Sequence, residues 1–136
     1  MPLIRISFLL CALVLSFGAR SHAQELRNRV LAQSASGAFK VTAMRSFDTA
    51  TVVSVVTGRT LTDISSIHAL ITFMIGHRVL NVNLGHHRPA AAEAILQQYP
   101  ELKSFDGSAI NRDNAEWWTA RIRKTYGASL VLVRAR

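Results

Sequence analysis

Three of the chain's five histidines fall in GHRVLNVNLGHHR, residues 76–88, beside two arginines and no acid. Imidazoles ligate transition metals and guanidinium groups bind anions. The stretch could therefore be a metal site, an anion site or the two ends of an ordinary element. Within it, VLNVNL (79–84) sets Leu80, Val82 and Leu84 against Asn81 and Asn83, the alternation of a strand with one wet face. At about 3.3 Å per residue, such a strand holds His77 and His86 on the order of 25–30 Å apart. His86 and His87 are adjacent and in extended backbone point to opposite sides. No Asp or Glu lies between residues 64 and 92, so a zinc or iron site would have to borrow Asp106 or Asp113. The spacing argues against a metal site, and no cofactor is expected.

An anion site fits the same residues better. GHHRP runs directly into a helix start expected at Pro89, where the first N–H groups are unpaired and partly positive. His86, His87 and Arg88 would surround that terminus and could hold a phosphate or carboxylate; otherwise they are solvated turn residues. Gly85 stands alone, with no Lys-Ser or Lys-Thr pair after it, so this is not a phosphate loop. His68 shares a helix face with Ile64, Ile71 and Ile75, the setting of a half-buried histidine with one backbone partner. A catalytic role would need a nearby carboxylate or hydroxyl; Asp63, Ser65 and Thr72 are near in sequence. No nucleophile elbow and no paired-glutamate pattern is present, so no catalytic residue is assigned. Trp117, Arg121 and Lys124 fall at i, i+4 and i+7 of a further helix and share one face. Basic and aromatic groups so placed suit a nucleic-acid or lipid-headgroup surface, or Arg121 simply stacks on Trp117.

The elements that must position these groups can be read from periodicity. A short helix or a loose lead-in is expected over 24–36. Residues 38–46 alternate, TVVSVVT (51–57) is a β-branched run of strand length, and SFDTA between them has turn chemistry, which together predict a hairpin. A helix follows, capped by Thr62 with Asp63 in its first turn, with apolar positions Ile64, Ile67, Leu70, Ile71, Met74 and Ile75 and a stop at Gly76. Pro89 opens the next helix, whose stripe is Ala92, Ile95, Leu96 and Tyr99 before Pro100. Asp113 and Glu116 pair as a capping box for the last helix, which buries Trp118, Ile122 and Tyr126 and ends at Gly127. SLVLV (129–133) is a well-covered final strand. The fold class expected is α+β: one small domain with a mixed β-sheet, order β-β-α-β-α-α-β, and helices packed on it.

The ends and the composition narrow the function. Residues 1–23 have the layout of a signal peptide: Arg5, an apolar run from Ile6 to Phe17, and Ser21-His22-Ala23 before a cut. The run is too short for the roughly 20 residues of a membrane span, although a retained anchor is the alternative. Cleavage leaves 24–136 as a single globular domain and removes Cys11, the only cysteine, and with it any disulfide, thiolate zinc site or thiol nucleophile. Loss of Arg5 and Arg20 takes the net charge from +8 to about +6, with arginine far outnumbering lysine. That balance favours anionic partners.

One stretch adds a likeness. VVSVVTGRTLTDISSIHALITFMIGHRV (52–79) resembles a family of small uncharacterised proteins of bacteriophages and prophages, through Thr57-Gly58-Arg59, Leu61, His68, Phe73-Met74 and Gly76. QQYPEL (97–102) and YGASLVLV (126–133) are similar to its later segments, so the likeness spans about 52–136. The resemblance implies no activity and carries over no catalytic residue. It implies that Gly58, Arg59, His68 and Gly76 matter, and only Arg59 and His68 lack a ready structural role. The family's members look cytoplasmic, whereas this chain carries an export signal. The function expected is a non-enzymatic, exported basic protein, periplasmic or secreted. Its partner would be a protein or an anionic envelope component such as lipopolysaccharide or acidic lipid. Alternatives are a small hydrolase or transferase using His68, Arg59 and an acid such as Asp106, and a nucleic-acid-binding domain.

Overall fold

A computed structural model of the chain describes residues 41–135, together with Glu25, Asn28, Arg29, Ala32 and Ala35, which are helical. Residues 1–23, expected to be a signal peptide, and most of 24–36 lie outside the described residues. From residue 41 the order is β1 (Val41–Asp48), α1 (Thr49–Thr57), α2 (Ile64–Ile75), a 3₁₀ turn (Asn81–Asn83), α3 (Leu84–Gln98), a second 3₁₀ turn (Pro100–Ser104), α4 (Ala115–Tyr126) and β2 (Ser129–Ala135). The fold is α+β, with four helices and a two-stranded antiparallel sheet among the described residues. Among the described residues no helix is long and apolar enough to cross a membrane.

The largest departure from the sequence reading is α1. TVVSVVT is not the second strand of a hairpin but a helix buried almost all round: Thr49 through Val55 are all inaccessible. It touches α2, α3, α4 and both strands. A short apolar run has no polar face from which to read a period, so strand and buried helix look alike. β-Branched residues disfavour helix only weakly, and tertiary burial outweighs that preference. The end signals decide. Asp48, expected in a turn, caps α1 by accepting a bond from the Ala50 N–H at 2.8 Å. Gly58 closes it in the left-handed region at φ 73°, donating to Ser54 O. The hydroxyls inside the helix turn back on its own carbonyls, Ser54 to Ala50 O at 2.7 Å and Thr57 to Val53 O at 2.7 Å.

β1 instead pairs with β2, from the far end of the chain, with Phe47 opposite Leu130, Arg45 opposite Leu132 and Met44 opposite Val133. The outer edge of β2 is closed by side chains from the end of α3. Gln98 both donates to Val133 O and accepts from Val133 N at 2.8 Å, and the Tyr99 hydroxyl donates to Val131 O at 2.7 Å. Burial pushes the Tyr99 phenol up to about 12, so it stays a donor.

The second departure is at 79–84, which is not a strand. Its apolar residues do not share a face: Val79 and Leu84 are buried, Leu80 and Val82 exposed. The segment forms the 3₁₀ turn and the first residue of α3. α3 therefore starts five residues before Pro89, which lies inside the helix, where the bond it cannot donate would have gone to Gly85 O. The expected order β-β-α-β-α-α-β is replaced by β-α-α-α-α-β. The rest differs in detail. Asp63 rather than Thr62 caps α2, Ile64 is exposed, and α4 begins after Asn114, whose loop is held by reciprocal bonds with Asn111 rather than by a capping box.

Two glycines test this geometry with opposite signs. A Cβ at Gly58 would sit in left-handed backbone and 3.1 Å from Arg88 Nη1, whereas a Cβ at Gly85, in the first turn of α3, meets nothing within 4 Å. Denaturant unfolding should show Gly58→Ala losing about 1–2 kcal/mol and Gly85→Ala gaining about 0.5–1 kcal/mol. Were 79–84 a strand ending at a Gly85 turn, the second substitution would bring no gain.

Candidate binding surface

Several basic residues are committed to the scaffold, among them Arg88 and His68, which the sequence singled out. Arg88 reaches across to α1 and donates to Val55 O at 3.1 Å, against Gly58, so it seals the carbonyl end of that helix. Arg134 does the same for α2, donating to Phe73 O at 3.3 Å and lying over the Phe73 ring beside Gly76. Arg123 pairs with Asp48 at 2.5 Å, joining the last turn of α4 to the cap of α1. His68 is half-buried, and its Nε2–H donates to Val79 O at 2.7 Å. A carbonyl can only accept, so that bond places the proton on Nε2.

The histidines of 77–87 are not separated as a strand would separate them. With the chain turned into a helix start, the His77 and His87 rings meet edge to face at 5.7 Å, and His86 and His87 at 5.2 Å. They pack on one another rather than converging on a point. Among the described residues no group of three or more His, Cys, Asp or Glu side chains is placed to hold a metal ion. His86 is exposed and His87 partly so, both in the first turn of α3, while the Arg88 guanidinium is directed to α1.

Three basic residues that remain available, Arg59, Lys103 and Arg121, gather around residues 103–108. On one side of Phe105 and Asp106 lies a cleft of about 400 Å³ containing Thr57, Arg59, Lys103 and Ser108. On the other lies a cleft of about 340 Å³ containing Trp118, Arg121 and Tyr126. The rings form a continuous edge-to-face series, Phe105 to Trp118 at 5.8 Å and Trp118 to Trp117 at 4.9 Å. Arg121 lies 5.2 Å over Trp117, which is 56% exposed. Lys124 is exposed further along α4 and lines neither cleft. Among the described residues Asp106 is the one carboxylate lining either cleft, and its oxygens accept from the Ser108 N–H and hydroxyl, both at 2.9 Å. Those bonds, helped by the Arg59 charge, hold its pKa below the usual value.

Arg59 and Asp106 thus share a cleft, but His68 lines neither it nor its neighbour. Lys103 and Phe105 were missed as residues of the clefts. Trp118 packs partly buried against the core, as its place on the buried side of the helix predicts, and its ring also lines the second cleft; residues 102–111 have only loop chemistry to read. A tryptophan pair beside an Arg three residues on was the one available signal.

Residues 47–105 match a domain of unknown function, DUF7736. The match covers β1's last residues through the second 3₁₀ turn, and so includes α1, α2, α3, Arg59 and Lys103 but not α4 or β2. No curated protein and no solved structure matches the chain.

Two measurements check the scaffold assignments. Arg88→Ala should lose about 1–2 kcal/mol by removing a charged donor from Val55 O, while exposed His86→Ala should stay within about 0.5 kcal/mol. Equal effects would contradict the sealing role. Separately, Asp63 accepts from the Ser65 hydroxyl, the Ser66 hydroxyl and the Ser66 N–H, which hold its pKa down from 3.8 to about 2. Its folded pKa is depressed, so its contribution is full above 3.8 and fades as pH falls toward 2. Asp63→Ala should therefore melt lower than the parent at neutral pH, with the gap closing over that acid window in thermal unfolding followed by circular dichroism.

Proposed function

We propose that this chain is an exported, basic accessory domain that acts by binding, without covalent chemistry, and receives an anionic partner on the face made by α4 and residues 103–108. One observation carries the reading. Arg59, Lys103 and Arg121 lie on either side of Phe105 and Asp106, next to a run of three aromatic rings, and Asp106 is occupied by Ser108. Cations beside aromatic rings, of which Trp117 is exposed and Phe105 and Trp118 are partly buried, attract phosphate and carboxylate groups and give flat or apolar portions of a ligand somewhere to rest. The N-terminal apolar run supports an envelope or extracellular setting, which makes lipopolysaccharide, acidic lipid headgroups or an acidic protein surface the partners to test. Prophage origin, suggested by the resemblance over 52–136, is consistent with an accessory role of this kind.

The exposed Trp117 under Arg121 favours one second reading, a single-stranded nucleic acid stacking on that ring. A hydrolase built on His68 and Arg59 has less support, because His68 is held by Val79 O away from the clefts.

Both of the chain's tryptophans lie on the proposed face, so intrinsic fluorescence reports on it directly. Titration with purified lipopolysaccharide should change the emission, with affinity falling steeply as salt rises. The Arg59→Ala/Arg121→Ala double variant should bind about tenfold more weakly or worse, for two lost ionic contacts. Binding that ignores both salt and the double substitution would sink the reading. A response to an oligonucleotide but not to lipopolysaccharide would transfer it to the nucleic-acid alternative.

A further inference from the structure

The loop between α2 and α3 exposes apolar side chains that its own backbone could have hidden. Val82 is 88% exposed and Leu80 54%, although their neighbours Val79 and Leu84 are 3% and 8% exposed. The exposure is built in. His68 holds Val79 O, and the Asn83 N–H donates to Leu80 O at 2.9 Å, so a closed turn lifts the Leu80–Val82 tip away from the core. Around the tip stand Arg78 and the packed rings of His77, His87 and His86. Arg78 is exposed and has no carboxylate partner among the described residues. No acid occurs between residues 64 and 92; Asp63 is occupied as the cap of α2, and Glu93 lies more than two turns into α3.

Two features select the occupant. The first is size: two protruding side chains fall far short of the roughly 800 Å² per partner that a stable protein interface buries. The second is charge: among the described residues the rim offers the Arg78 cation and the His77, His86 and His87 imidazoles and no carboxylate. A lipid bilayer satisfies both, since single apolar side chains enter the boundary between headgroups and acyl chains while cationic and N–H groups meet the phosphates.

We propose that residues 77–87 are a peripheral contact for an anionic phospholipid bilayer, with Leu80 and Val82 entering the interface and Arg78, His77, His86 and His87 on the lipid phosphates. This contact is separate from the clefts around residues 103–108 and does not depend on their having a ligand.

The test must report on the loop itself, because the apolar run near the N-terminus could bring the full chain to lipid by another route. Methyl NMR of the full chain on bicelles carrying a nitroxide-labelled lipid does so. The Leu80 and Val82 methyls should broaden strongly on bicelles containing phosphatidylglycerol and much less on phosphatidylcholine alone. Exposed Arg78→Glu should reduce the broadening about tenfold at matched lipid, and Val82→Asp should shift the lipid titration by a similar factor. Unbroadened loop methyls while the chain is bicelle-bound would overturn the proposal. So would equal broadening on neutral lipid, or concentration-dependent broadening without lipid, which would give the face to a second copy of the chain.

Discussion

Everything else in this fold depends on enclosing α1. A helix with no polar face must find apolar neighbours in every direction, and it must also satisfy its terminal N–H and C=O groups out of water. The surrounding elements do both. α2, α3, α4 and the sheet supply the walls, with Ile67, Leu70, Ile71, Ala91, Ile95, Ile122 and Leu132 buried around it. The ends are sealed from a distance. Thr49 donates through both its N–H and its hydroxyl to Ala128 O and Gly127 O, Arg123 pairs with the capping Asp48, and Arg88 donates to Val55 O. Arginines that would otherwise add to the surface charge become parts of the scaffold.

That constraint also sorts what could be read from the sequence. α2 and α4 were legible because each has a period and a stop, an apolar stripe closed by Gly76 and another closed by Gly127, and β2 was legible as a short apolar run of strand length after that second stop. α1 was not, since burial on all sides erases the period and leaves only β-branched composition, which points to a strand. Residues 79–84 failed for the opposite reason. Their alternation was real, but two of the apolar positions face solvent, so it did not mark a buried face. From that error followed the wide separation expected for His77 and His86 and the late start given to α3.

The candidate site was legible one residue at a time and illegible as a place. Trp117 and Arg121 could be paired from helical spacing alone. Arg59 stood out but had no visible neighbour. Bringing it to Lys103 and Phe105 requires α1 to end beside the turn after α3, a relation set by α1 being a central helix. Arg88 shows the converse. Its position beside two histidines suggested a ligand, and only the tertiary arrangement shows its guanidinium turned toward another helix's carbonyls.

The pairing of β1 with β2 has a consequence for the order in which the molecule can come into being. The strands are joined across almost the whole described chain, and Gly127, Ala128, Arg123, Val131 and Val133 all supply bonds to elements that precede them. A chain emerging from its N-terminus therefore has its helices available long before it has a closed interior. Until the last dozen residues arrive, α1 has an unsealed end and Gln98 and Tyr99 have no strand to hold. Contacts of such long sequence separation are slow to form, since the intervening loop must be closed before they stabilise anything. Completion of the core is thus a C-terminal event: the helices are made first, and the interior closes only when the last strand pairs with the first.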